Sequence, residues 1–179
     1  MRYLLLPYLY ESIHGNCLDN IYPLHSFRTV INALSDLHHP LQTLADLMTL
    51  KEHFGNLKGK TVAWVGDGNN VLHDLMIGSI KMGMNVHVAT PAGYSANATI
   101  IAEAKALAIQ EGVKLVFTSD PKVAVAGANV VVTDTWISMG QEEEAKQRKI
   151  DFAGYQVIDF TIICRVLYAS HAVNLQHSL

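Results

Sequence analysis

Residues 130–144, VVVTDTWISMGQEEE, run from four β-favouring residues into a polar loop that carries Asp134, Ser138 and Met139. In an open α/β sheet, ligands sit in the crevice at the carboxyl ends of the strands, so a carboxylate there is placed to hold a cationic amino group. Ser138 and Met139 add a hydroxyl, backbone N–H groups and an adaptable apolar wall, a combination that fits the aliphatic stem of a diamino acid. Gly140 offers a hinge, and Glu142, Glu143 and Glu144 fall in the first turn of the next helix, where the macrodipole favours negative charge. The plainer alternative is a solvated strand-to-helix turn.

Two further constellations can do chemistry. Residues 64–70, WVGDGNN, read as a strand entering a Gly-rich turn before a helix, which lets backbone N–H groups approach an anion. The adjacent Asn69 and Asn70 add donors and acceptors for a carboxylate or an amide. A dinucleotide site would need a third Gly and an acidic residue closing the second strand. Instead the helix continues Val71-Leu72-His73 and the strand ends Ala89-Thr90-Pro91, so NAD binding is not expected. In His38-His39-Pro40-Leu41-Gln42, an imidazole and a carboxamide three residues apart at a helix start project from adjacent positions. Both can hydrogen-bond a carbonyl and an amide without a fixed charge; a polar helix start is the alternative. None of the nine histidines has metal-ligand spacing, so a metal is not expected.

The elements that must position these groups follow from periodicity. Leu41, Leu44, Leu47, Met48 and Phe54 predict a helix over 37–54 with Pro40 in its first turn. Strands are predicted at 61–65, 85–89, 114–118 and 130–133, with helices at 71–82, from about 100 to 112, a short one from 121 to 127, and from about 141 to 152. Short connections between alternating strands and helices predict an α/β fold, a Rossmann-like parallel sheet with helices on both faces. A fifth strand could start at Tyr155 and Gln156, after which the alternation is lost.

Composition narrows the partners. Half of the 179 residues are apolar and 16% are charged, which suits one substantial core. A formal charge of -3 gives no basic stripe for nucleic acid. Cys17 and Cys164 match no zinc or redox spacing and read as buried thiols in a reducing compartment. Pro7 interrupts the apolar run of the first ten residues, and the apolar tail carries Asp159 and Arg165, so neither a secretory signal nor a membrane span is expected.

The stretches INALSDLHHPLQTLADLMTL, WVGDGNN and TDTWISMGQEEE, in this order and spacing, resemble the ornithine carbamoyltransferases of the aspartate/ornithine carbamoyltransferase family. The similarity runs over 30–157, with 1–29 unmatched and 158–179 a divergent tail. The resemblance implies the ornithine-binding domain with its leading helix, no cofactor, and carbamoyl transfer from carbamoyl phosphate to L-ornithine, giving citrulline. It implies that His39 and Gln42 contact the carbamoyl group and that Asn70 holds the ornithine carboxylate. It further implies that Asp134 orients the amino-acid end and that Ser138 and Met139 close over it, with His39, Gln42 and Asp134 carrying catalysis. A homo-oligomer is expected, since the family forms trimers. The compartment is the mitochondrial matrix if the source is eukaryotic and the cytoplasm otherwise.

The chain departs from the family pattern in two places. No Ser-Thr-Arg-Thr-Arg phosphate motif occurs, and the residues after Gln156 run VIDFTIICRVLYASH where His-Cys-Leu-Pro belongs, so neither Cys164 nor His171 inherits a role. Charge-assisted hydrogen bonds contribute about 1.5–3 kcal/mol each. Loss of three or four phosphate contacts predicts at least roughly a thousandfold weaker carbamoyl phosphate binding and little transferase activity. The sequence thus reads as a family member lacking one domain and the end of the other. The other reading is a non-catalytic fragment that binds an amino acid or associates with other subunits. Exposed apolar area is expected after Val157, where a sheet partner or covering helix is missing.

Overall fold

The computed structural model describes residues 31–137, 142–157 and 167–168. Helix α1, Pro40–Phe54, starts with Pro at its first position, where the missing N–H costs nothing, and stops at Gly55 with φ 70°. Strand β1 (Thr61–Val65) leads to α2 (Asn70–Lys81), β2 (Asn85–Ala89) and α3 (Ala98–Glu111). Then come β3 (Leu115–Thr118), the short α4 (Pro121–Val125), β4 (Val130–Val132), a 3-10 turn (Glu142–Glu144), α5 (Ala145–Asp151) and the two-residue β5 (Leu167–Tyr168).

All strands pair in parallel, in the order β3-β2-β1-β4-β5. From β1 the chain winds outward through β2 to β3, then returns to add β4 on the other side of β1. That reversal opens a crevice at the carboxyl ends of β1 and β4, the place where such sheets bind ligands.

The side-chain alternation of the strands builds two cores. Val62, Trp64, Val86, Val88, Val130 and Val132 face α2 and α3 and pack on Leu72, Leu75, Met76 and Ile100. Ala63, Val65, Ala89 and Val131 face the other way, onto Ala124, Val125, Phe152 and Tyr155. Each fully buried Val, Leu or Ile contributes roughly 1.5–3 kcal/mol, and both faces of β1 are closed. The unbroken apolar run of β1 therefore reflects burial on both of its faces. Strand β3 differs: it is an edge strand, and Val116 and Phe117 remain more than a third exposed.

Three local expectations change. The face that α1 buries is Thr43, Asp46, Leu47 and Leu50, while Leu41 and Met48 are exposed, because α1 packs on α2 through its 43-47-50 stripe. The helix predicted from 141 begins instead as a 3-10 turn. Tyr155 does not start a strand; it lies buried in the second core with its hydroxyl donating to the Ser119 carbonyl, and the fifth strand is Leu167–Tyr168 beside β4. No helix among the described residues is long and apolar enough to cross a membrane.

Candidate functional site

A cleft of about 1380 Å³ lies at the switch point of the sheet. His39, Gln42, Asn70 and Asp134, drawn from three separate parts of the chain, all line it. Ser138 and Met139 lie outside the described residues.

The Gly-rich turn is built by packing and capping together. The N–H of Gly68 donates to the Tyr94 carbonyl at 2.9 Å. A Cβ on Gly68 would sit 2.2 Å from the Ala96 nitrogen, a backbone neighbour that cannot swing aside, so only Gly fits. Asn69 then caps α2, its Oδ1 accepting from the N–H groups of Val71 and Leu72. Its Nδ2 reaches across the crevice to donate to Asp134 Oδ2 at 2.9 Å. The other oxygen of Asp134 accepts the N–H of Thr135. Sequence reasoning weighed the Asn pair as a unit; the cap preference of Asn before a helix was the available signal for Asn69.

Asn70 starts the face of α2 that holds the segment before α1. Its Nδ2 donates to the Ser35 carbonyl at 2.7 Å. One turn on, His73 meets the Leu37 carbonyl through Nδ1 at 2.9 Å and the N–H of Asn97 through Nε2 at 3.0 Å. A carbonyl only accepts and an amide N–H only donates, so His73 is neutral with its proton on Nδ1. Burial depresses its pKa, and the bond to Leu37 opposes this only in part. Asp74, beside it, bonds His38 Nδ1 at 2.8 Å and accepts the His39 N–H. That bond raises the His38 pKa, against the pull of burial. Positions 70, 73 and 74 share one helix face, and together they grip residues 35 to 39.

The polar groups on α1 are similarly oriented. Gln42 donates from Nε2 to Asp46 Oδ1 at 2.9 Å, one turn along the helix. An ionised carboxylate can only accept, so the Gln42 amide turns its nitrogen to Asp46 and leaves Oε1 for another partner. His39 Nδ1 is buried and finds no hydrogen-bond partner among the described residues.

On the opposite wall Arg148, 6% exposed, converges three groups. Its NH1 nitrogen lies 2.7 Å from Asp67 Oδ2 and 3.1 Å from the Trp136 carbonyl, and Nε lies 3.2 Å from Glu144. Its guanidinium also sits 5.0 Å over the Tyr94 ring, while the Tyr94 hydroxyl donates to Asp151. Burial works against the Arg148 charge, yet Asp67 and Glu144 keep its pKa raised. Sequence reasoning missed Arg148 and Asp67 because 81 residues separate them and neither stands in a spacing that announces a pair.

The cleft is acidic. Asp36, Asp46, Asp67, Asp134 and Glu144 line it against the guanidinium of Arg148, which Asp67 and Glu144 already engage. Such a field favours a cationic ligand. Among the described residues no three His, Cys, Asp or Glu side chains gather into a metal site.

Comparison with known proteins identifies the family and the fold. The family described as "Aspartate/ornithine carbamoyltransferase, Asp/Orn binding domain" matches residues 58–169, which carries the likeness past Val157. A mitochondrial ornithine carbamoyltransferase of Aquarana catesbeiana is 55% identical over 128 residues, 72% of this chain and 37% of the relative. The ornithine carbamoyltransferase of Carboxydothermus hydrogenoformans is 56% identical over 128 residues, 72% of this chain and 41% of the relative. The solved ornithine carbamoyltransferase of Pyrococcus furiosus superposes with a TM-score of 0.70 at 48% identity, covering 74% of this chain and 42% of that one. The chain thus spans about two-fifths of the length of the relatives it matches. With the sheet, the crevice and the matched segment in agreement, the chain belongs to the aspartate/ornithine carbamoyltransferase family.

Proposed function

We propose that this chain forms the ornithine-binding half of an ornithine carbamoyltransferase site. The observation that carries the reading is the convergence of Asp134, Asn70, His39 and Gln42 on one acidic cleft at the sheet's switch point. In this reading Asp134, steadied by Asn69, receives the amino-acid end of L-ornithine, and Asn70 leaves the Ser35 carbonyl to bind its carboxylate. Ser138 and Met139 close over the aliphatic stem. His39, through a ring nitrogen, and Gln42, through Oε1, hold the carbamoyl carbonyl and amino group of carbamoyl phosphate.

The uncharged δ-amine attacks the carbamoyl carbon. A C–N bond forms, the C–O bond to phosphate breaks, and the amine gives up a proton as citrulline and phosphate separate. The residues lining the cleft contribute positioning and polar stabilisation of the tetrahedral intermediate. The phosphate needs cations from elsewhere, because the Arg148 guanidinium in the cleft is already bound to Asp67 and Glu144. That same arrangement favours a second reading, in which the chain binds the amino acid and associates with other subunits without turning over by itself. A trimer is the assembly that the family suggests, in the mitochondrial matrix of a eukaryote or the cytoplasm of a bacterium.

Calorimetric titration with L-ornithine tests the first claim. Binding by the wild type and a tenfold to hundredfold weaker affinity in Asp134→Ala are expected, as removal of a charge-assisted contact of about 1.5–3 kcal/mol implies. Equal affinity in the two proteins would discard Asp134 as the anchor. Citrulline formation with carbamoyl phosphate present separates the enzyme from the binding fragment.

A further inference from the structure

Asp74 stands on the buried face of α2 with its side chain 1% exposed. A buried carboxylate is costly unless its oxygens are hydrogen-bonded, and here they are used on two consecutive residues. Oδ1 takes the His38 ring at 2.8 Å and Oδ2 takes the backbone N–H of His39. His39 precedes Pro40, which narrows its backbone freedom, and it stands at the N-cap of α1 without using its ring to cap. The His39 ring therefore owes its place in the cleft to how its backbone is held, since its buried Nδ1 has no partner among the described residues.

We infer that Asp74 is a positioning residue for His39: one buried carboxylate ties the His38 ring and the His39 amide to α2 and so sets the His39 imidazole in the cleft. Its value to catalysis rests on the proposed contact of His39 with the carbamoyl group; the positioning itself does not. Both partners are donors, so a carboxylate is required. An Asn offers one accepting oxygen and would turn its NH2 towards one of the two donors. A Ser offers a shorter reach and a single oxygen. Among the described residues, Asp74, His73 on the same helix and Glu103 on α3 are charged or titratable groups that act on His38.

The test follows the imidazole signals of His38, His39 and His73 by nuclear magnetic resonance in the full chain, wild type and Asp74→Asn. The His38 midpoint should fall to or below the ordinary histidine value, and the His39 ring signals should move. The His73 ring, bonded to Leu37 and Asn97, should keep its Nδ1–H form. A folded Asp74→Asn protein with unmoved His39 signals would overturn the inference, as would a His73 ring that changes as much as His39. If Asp74→Asn does not fold, the wild type decides: a His39 amide bonded to Asp74 resists hydrogen exchange, and one that exchanges at the unprotected rate refutes it. Carbamoyl phosphate is then added. A tenfold weaker response in Asp74→Asn supports the catalytic use. A wild-type His39 that ignores the ligand removes the substrate role of His39 and leaves its positioning judged by the ligand-free spectra.

Discussion

The helix-borne wall of the cleft, residues 35–46, hangs on several short bonds from one face of α2, whereas the loop-borne wall, residues 133–137 and 144–148, converges on one guanidinium. On the first, Asn70, His73 and Asp74 each take a different backbone or ring partner, and two of the bonds use histidine rings. On the second, Arg148 alone joins Asp67 of the Gly-rich turn, the Trp136 carbonyl and Glu144. Distributed bonds fail one at a time and respond to pH. A single ionic hub is indifferent to pH near neutrality but fails as a whole. Asn69 links the two walls, capping α2 with one end of its amide and reaching Asp134 with the other.

Removal of the hub should have the largest effect. Arg148→Met keeps much of the side-chain volume and leaves Asp67 partly buried without its partner. Breaking a buried pair by deleting one member costs about 3–5 kcal/mol. Urea denaturation should show a loss of that order, and Arg148→Met combined with Asp67→Asn should recover part of it. A loss under about 1 kcal/mol would place Arg148 among ordinary surface pairs and erase the contrast between the walls.

The sheet was legible because its strands are short apolar runs between Gly, Pro and Asn punctuation; 61–65 and 85–89 coincide with β1 and β2. The end of the chain was not. Tyr155 and Gln156 follow a helix in a stretch of the right length for a strand, yet Tyr155 packs against Phe152 and bonds Ser119, contacts that only the folded second core supplies. The motif residues His39, Gln42, Asn70 and Asp134 could be named from the sequence because each sits in a local word. Their supports could not. Asp74 looks like any polar residue at its position, and its worth comes from facing residues 38 and 39 across a helix–segment contact. Asp46 is an α1 residue whose burial breaks the apolar pattern, and that break was the only hint.

The pH response sharpens the contrast from the other side. His38 has a raised pKa because of its bond to Asp74, so its stabilising contribution is full below the unfolded value of 6.5 and is lost as pH rises through the raised midpoint. His73 has a pKa lowered by burial, so its contribution is full above 6.5 and is lost as pH falls through the lowered midpoint. The helix wall is therefore strongest near the ordinary histidine value and weakens in both directions. Urea midpoints measured from about pH 5 to 9 should show that His38→Gln flattens the alkaline side and His73→Gln the acid side. Matching pH profiles for wild type and His38→Gln would disprove the first half of this, whatever His73 does.

The smallest expected effect lies where α1 meets α2. A Cβ at Gly78 would come within 2.6 Å of Thr43 Cγ2, so the two helices approach as closely as a glycine allows. Thr43 is 3% exposed and its Oγ1 finds no hydrogen-bond partner among the described residues. Thr43→Val keeps the methyl that faces Gly78 and replaces the orphaned hydroxyl by a second methyl. A buried polar group without a partner costs about 1–3 kcal/mol, and an apolar group of the same shape avoids that. The variant should match the wild type or gain up to about 1 kcal/mol in urea denaturation, with L-ornithine affinity unchanged because Thr43 does not line the cleft. Lower stability would mean that the hydroxyl has a partner after all, and the helix wall would then hang on one bond more than Asn70, His73 and Asp74 provide.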